Sequence, residues 1–172
     1  MASPHRPRLT MLFAALLAVL ILAARVPRSQ PPSGGCGPTS LYALTQTVGM
    51  HVGRNDVGRL FGSHFLVASF ADIQEAARLL GLELQGQRMS VETLQRERPL
   101  GILHLDGSHF VAVVGYEAYG PRVVDPDDAS ALRVAVWPYT YLSERWDGRI
   151  LVFTGVQAHH AGANDTAGRT TR

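Results

Sequence analysis

The chain has 172 residues, 46% hydrophobic and 17% charged, with a formal net charge of +2. That length allows one domain plus terminal additions, and that balance excludes a disordered polymer. Every basic side chain except histidine is arginine, with no lysine anywhere, which excludes Schiff-base chemistry and a phosphate-loop ATP site; the arginines are scattered, so nucleic acid is not an expected partner.

Leu9 to Ala24 (LTMLFAALLAVLILAA) carries no charge; His5, Arg6 and Arg8 precede it, and Arg25 and Arg28 follow. This is the pattern of an export signal or a signal anchor. As a helix the run spans about 24 Å, slightly short of a ~30 Å hydrocarbon core. An A-x-A cleavage site is missing and arginine follows at once. Residues 1–25 are therefore expected to form an uncleaved hydrophobic helix, ahead of a cleaved signal peptide or a buried core helix. A short basic start keeps the N-terminus inside, so the domain is expected on the extracytoplasmic side, membrane-anchored, or secreted if the segment is cut.

Val26 to Gly35 (VPRSQPPSGG) is a Pro/Gly/Ser linker leading into Cys36, the sole cysteine. A single thiol forms no internal disulfide and lacks partners for a cysteine-based zinc or iron–sulfur site, and it agrees with an oxidising compartment, where it avoids mispairing. Cys36 opens an expected helix that runs through Leu41, Ala43, Leu44 and Val48 to a stop at Gly49. A short helix follows from Asn55 to Phe61. The clearest helix is Ser69 to Leu80, with Ser69 as cap and Gly81 as stop.

Leu82 to Gly86 alternates like a strand, and Ser90 caps a brief helix through Arg96. Strands are then expected at Leu100–Leu105, Phe110–Tyr116, Pro121–Val124, Leu132–Val136 and Arg149–Thr154, with a short helix from Trp137-Pro138 through Glu144. The layout is α+β: a helical N-terminal lobe packed on an antiparallel sheet over residues 26–155, followed by a disordered tail over 156–172. The His159-His160 pair in that tail is read as polar filler, so no metal site and no cofactor are expected. The cleft between helices and sheet is the expected site.

A helix N-terminus lowers a thiol's pKa, and the thiolate is the nucleophilic form. Alone, Cys36 reads more readily as a buried structural cysteine than as a nucleophile; its partners downstream reverse that. A nucleophile needs a base, and the base an orienting acceptor. His109 stands after the Asp106-Gly107-Ser108 turn at the mouth of a strand, and Asp125 ends the next strand before Pro126. A hairpin through Ala118-Tyr119-Gly120 brings the start of one strand near the end of the other. His104 is the rival base, read as core; Asp106, Asp127 and Asp128 are rival orienters, read as turn and surface carboxylates. Oxyanion donors come from the Cys36 N–H and from a side-chain amide upstream, for which Gln30 is the candidate.

Gln30 with Cys36-Gly37, then His109-Phe110-Val111, then Asp125-Pro126, resembles family thirty-nine of the cysteine peptidases, the bacteriocin-processing, double-glycine leader peptidases. The resemblance covers about Gln30 to Thr154. It implies a papain-like fold, a Cys36–His109–Asp125 triad, Gln30 in the oxyanion hole, and a peptide or protein substrate. Transporter-fused members carry several membrane spans and an ATPase; neither is seen here, so the chain resembles stand-alone, membrane-anchored members. The acidic residue often found before the cysteine is Gly35 here. Self-cleavage after Gly34-Gly35 is rejected, because Pro31, Pro32 and Ser33 occupy the stretch where a leader helix would lie; the glycines instead permit close backbone approach. Two other readings remain: a catalytically silent peptide-binding module, and an acyl transferase using the same three residue types.

Overall fold

The computed structural model describes residues 35–126 and 132–157. The apolar N-terminal segment, Gln30, Asp127, Asp128 and the tail from 158 onward lie outside the described residues. Helices come first: α1 (Cys36–Thr47), α2 (Arg54–Arg59), a 3-10 turn (Gly62–His64) and α3 (Phe70–Leu79). Then follow β1 (Leu82–Arg88), α4 (Val91–Glu97), β2 (Gly101–Leu105), β3 (His109–Glu117), β4 (Gly120–Val124), β5 (Val134–Val136), α5 (Tyr139–Arg145) and β6 (Trp146–Val156). The six strands form one sheet, ordered β1-β6-β2-β3-β4-β5, and every pairing is antiparallel.

Alternation along the central strands sorts their side chains to two faces. On one face Ile102, Phe110 and Leu151 pack with Leu41 and Leu44 of α1, Val57 of α2, and Ile73 and Ala77 of α3. On the other, Leu103, Leu105, Val111, Val113 and Ile150 pack with Leu94 of α4 and Leu142 of α5. The sheet is thus covered on both sides, where the sequence suggested helices on one. β2 is buried at all five positions, which is why its run lacks polar alternation. Leu41 and Leu44 are fully buried, and each contributes about 2 kcal/mol by leaving water.

The expected boundaries shift by a few residues at several ends. β1 continues to Arg88 and β6 begins at Trp146, because the β1–β6 ladder pairs polar positions such as Gln87 with Ile150. The last helix begins at Tyr139, with Pro138 as its N-cap, and β5 starts at Val134 rather than Leu132.

Ser69 caps α3 through a reciprocal box. The Asp72 N–H donates to the Ser69 hydroxyl at 3.2 Å, and the Ser69 N–H donates to the Asp72 carboxylate at 2.8 Å. The same carboxylate meets His64 Nδ1 at 2.7 Å, tying the 3-10 turn to α3. Hydrogen bonds from Ser69, then His64, hold the Asp72 pKa down to about 2. A carboxyl depressed by folding stabilises the protein fully above the ordinary carboxylate range, and that stabilisation is lost as pH falls through the depressed value. Asp72→Asn is therefore expected to lower stability by about 1 kcal/mol near neutral pH. In urea unfolding across pH, the gap from wild type narrows toward pH 2; a gap that stays constant counts against the assignment.

Candidate active site

Cys36 is the first residue of α1, immediately after Gly35. Gly35 has no side chain to cap the helix, and no acidic residue lies in the first turn. The first-turn N–H groups and the positive end of the helix dipole therefore face the thiol. Gly35 must be glycine for a steric reason: a Cβ there would run into the Phe65 carbonyl. The backbone that approaches this glycine is that of Phe65, just after the 3-10 turn.

Helix α1 is locked to β3 one turn further on. The buried Ser40 hydroxyl donates to the Phe110 carbonyl at 2.9 Å. Cys36 and Ser40 are four residues apart, so they share a helix face, and the thiol faces the start of β3. The thiol reaches the Ser108 carbonyl at 3.8 Å and is hydrogen-bonded to the His109 side chain and to the Phe110 and Gly37 backbones. Burial is the largest single influence on this thiol and raises its pKa. The His109 hydrogen bond, the Phe110 and Gly37 bonds and the His109 charge together outweigh it, leaving the pKa below the ordinary thiol value.

His109 is the first residue of β3, and its Nε2 lies 2.8 Å from Asp125 Oδ1. Their side chains are 17% and 29% exposed, so the pair is shielded from bulk water but open to a ligand. The β3–β4 ladder pairs Ala112 with Val124. One further step in that register sets Asp125 opposite Val111, two residues from His109, which is the diagonal cross-strand relation. With Nε2 engaged by the carboxylate, Nδ1 is the ring nitrogen left for sulfur.

The structure thus brings Cys36, His109 and Asp125 together, joined through the imidazole. The rival residues stand apart. Asp106 occupies a left-handed turn position with φ of 47° and forms an ion pair with Arg145. His104 is buried in the sheet, 5% exposed. Gln30 falls outside the described residues. Among the described residues no group of three His, Cys, Asp or Glu side chains is placed to hold a metal ion, and no helix is long and apolar enough to cross a membrane.

Sequence reasoning missed the Ser108 carbonyl, the Phe110 and Gly37 backbone contacts and the Ser40 hydroxyl. The first three are main-chain groups, which residue identity does not reveal. Ser40 was detectable as a small polar residue one helical turn after the cysteine.

A helix-borne thiol beside a strand-borne imidazole and a carboxylate just past the end of the neighbouring strand, on an antiparallel sheet, is the architecture of the papain-like class. The chain belongs to the peptidase C39 family, which residues 27–157 match. No curated protein matches it. Among solved structures it is similar to a double glycine motif protease from an AMS/PCAT transporter, captured with the leader peptide. The two are 25% identical, with a TM-score of 0.59, covering 73% of this chain and 86% of the other. It also resembles the peptidase domain of Streptococcus ComA, a bi-functional ABC transporter involved in quorum sensing. There the identity is 18% and the TM-score 0.62, covering 75% and 96%. A third relative in fold is the N-terminal peptidase C39-like domain of the toxin secretion ATP-binding protein from Vibrio parahaemolyticus. It shows 17% identity and a TM-score of 0.55, covering 69% and 95%.

Iodoacetamide is expected to alkylate Cys36 well below the pH at which an ordinary thiol reacts. His109→Ala removes the hydrogen bond and the charge that hold the thiolate, leaving burial to raise the pKa, so the reactivity midpoint moves to higher pH. A rate–pH profile for both proteins checks this; identical profiles would contradict the linkage.

Proposed function

We propose that the protein is a cysteine endopeptidase that hydrolyses peptide bonds with Cys36 as nucleophile, His109 as acid and base, and Asp125 as orienter. The observation that carries the reading is the continuous contact from the Cys36 thiol through His109 to Asp125, at 2.8 Å on the carboxylate side. His109 takes the thiol proton, and the thiolate attacks the scissile carbonyl carbon. The resulting oxyanion is held by the Cys36 N–H and, on this reading, by Gln30. Collapse to a thioester breaks the C–N bond, and His109 gives its proton to the departing amine. Water then attacks the thioester with His109 as base. The acid product leaves, and the thiol is restored.

Asp125 fixes the ring so that Nδ1 faces sulfur, and it stabilises the imidazolium formed in each step. The substrate class carried over from the relatives is a leader peptide cut at a double-glycine-like site: the AMS/PCAT protease was captured with its leader peptide. On the same reading the apolar N-terminal segment tethers the domain to the membrane, on its extracytoplasmic side.

Cys36→Ala is expected to abolish cleavage of a double-glycine leader peptide while leaving the circular dichroism and unfolding midpoint unchanged. Cleavage surviving in a clean preparation would refute a thiol mechanism. The pH–rate profile of wild type should be bell-shaped, its limbs set by thiol and imidazole. Release of the acid product in the presence of an added amine separates hydrolysis from acyl transfer. In cell fractionation the full chain should sediment with membranes and resist carbonate extraction; recovery in the soluble fraction would remove the tether.

A further inference from the structure

An open pocket of about 380 Å³ lies between α3 and the β1–β6 ladder, a volume within the range of ligand sites. Phe70 and Gln74 of α3 line one side, and Gly86 and Arg88 of β1 with Arg149 and Leu151 of β6 line the other. The Gln74 amide is anchored, donating to the Leu84 carbonyl at 3.1 Å. Gly86 pairs with Leu151 and Arg88 with Arg149, so all four belong to one sheet face. Nothing in the fold demands glycine at position 86. Its φ is not left-handed, and a Cβ there would meet only Leu151 Cδ2, at an ordinary 3.9 Å. A strand glycine without such a cause marks a place where another group comes close; here it opens the pocket above Leu151. The two arginines stand directly opposite each other, an arrangement that like charges disfavour. Asp147, which is not in the pocket lining, compensates Arg149 by accepting from its Nε at 2.6 Å. Arg88 is exposed and has no ion pair or side-chain hydrogen bond among the described residues. The pocket thus combines an apolar floor with a surplus positive charge.

The start of α3 links this pocket to the thiol. Ala68 abuts Gly37, the residue after Cys36: a Cβ on Gly37 would come within 2.7 Å of the Ala68 Cβ. Two residues on, Phe70 lines the pocket and packs edge-on against Phe110, ring centroids 5.3 Å apart, and Phe110 follows His109. A peptide held at Cys36 and running along the start of α3 therefore enters the pocket. We propose that the pocket is a substrate subsite for an acidic side chain. The carboxylate of an aspartate or glutamate meets Arg88 and Arg149, whose planar donors suit it, and the apolar part of the peptide beside it packs on Phe70 and Leu151. An anion carried on an apolar chain fills both halves of the pocket and relieves the repulsion between the two guanidiniums. The inference rests on the reading of the protein as a peptidase and adds a preference for acidic peptides.

Two synthetic peptides test this: a double-glycine leader peptide containing Asp or Glu, and the same peptide with each acidic residue changed to its amide. Binding is read by fluorescence anisotropy on the full chain carrying Cys36→Ala, and cleavage on the full chain with its thiol. With Arg88 in place, the acidic peptide is expected to bind about fivefold more tightly than the amide peptide, the advantage of a part-exposed ion pair, and the preference fades as salt rises. Arg88→Gln is expected to remove the preference and Arg88→Glu to reverse it. Both should fold, since Arg88 is exposed and has no partner to lose; if Arg88→Glu does not, Arg88→Gln decides. The same ratios are expected in kcat/KM, carried by KM. Equal affinity for the two peptides, or a preference that survives in Arg88→Gln, overturns the acidic subsite, while cleavage of both peptides leaves the peptidase standing. A charge preference in binding without cleavage by the intact thiol overturns the peptidase and leaves the pocket as an acidic-peptide site. Neither binding nor cleavage overturns both.

Discussion

The buried bond from the Ser40 hydroxyl to the Phe110 carbonyl, 2.9 Å long, is the constraint on which the site depends. It joins two elements seventy residues apart in sequence and fixes the rotation and height of α1 against β3. Cys36 lies one turn before Ser40 and Leu44 one turn after, so a single helix face carries the thiol, the latch and a fully buried core anchor. Were α1 free to rotate by one residue, about 100°, the sulfur would leave the strand that bears His109. A hydroxyl latch fits here because the strand carbonyl is buried, and an unsatisfied buried carbonyl costs about 1–3 kcal/mol. Sliding of the helix along the sheet is opposed by that same amount, in addition to the burial of Leu41 and Leu44.

Two opposing effects meet at the sulfur. Desolvation works against the thiolate, and it is the largest single influence on Cys36. Hydrogen bonds from His109 and from two backbone positions, with the imidazolium charge, favour the thiolate more strongly in sum. The balance explains why the residue is half-buried. Full exposure would weaken each hydrogen bond by competition with water, and full burial would close the route for a peptide. The uncapped start of α1, with no carboxylate in its first turn, leaves the positive end of the helix for the sulfur alone. An aspartate or serine at position 35 would cap the helix and compete for those N–H groups, besides colliding with Phe65.

Much of the architecture was legible because its signals are local. Ser69 and Ser90 both accept from the third residue of the helices they start, and Gly81 adopts the left-handed conformation that ends α3. Runs such as FVAVVGY mark a strand regardless of what lies beside it. The placement of α4 and α5 on the far face was not legible, since seven-residue helices with one fully buried leucine each carry no directional pattern. Nor was the true start of β6, where Trp146, Asp147 and Gly148 look like a turn until the Trp146 ring nitrogen is seen donating to the Arg149 carbonyl at 2.8 Å. Of the site, the side chains could be nominated from order and context, whereas their convergence is a property of sheet register and helix rotation, which act at long range.

The contact between His109 and Asp125 shows how that register works. The β3–β4 ladder is irregular between Val113 and Gly115 but regular at Ala112–Val124 and Val113–Val123. The bulge, with its extra twist, is therefore on the hairpin side, and the stretch leading to the site is undistorted. Pro126 reinforces this from the other direction: the residue before proline is driven toward extended backbone, so Asp125 continues the line of β4 past its last paired residue. A proline also lacks the N–H that would carry the ladder further. The carboxylate is thus presented at a strand end, where the backbone beneath it is still ordered and its side chain still reaches solvent. The Asp-Pro pair that reads in sequence as a turn former is, in the fold, the stop that leaves the aspartate aimed at the imidazole.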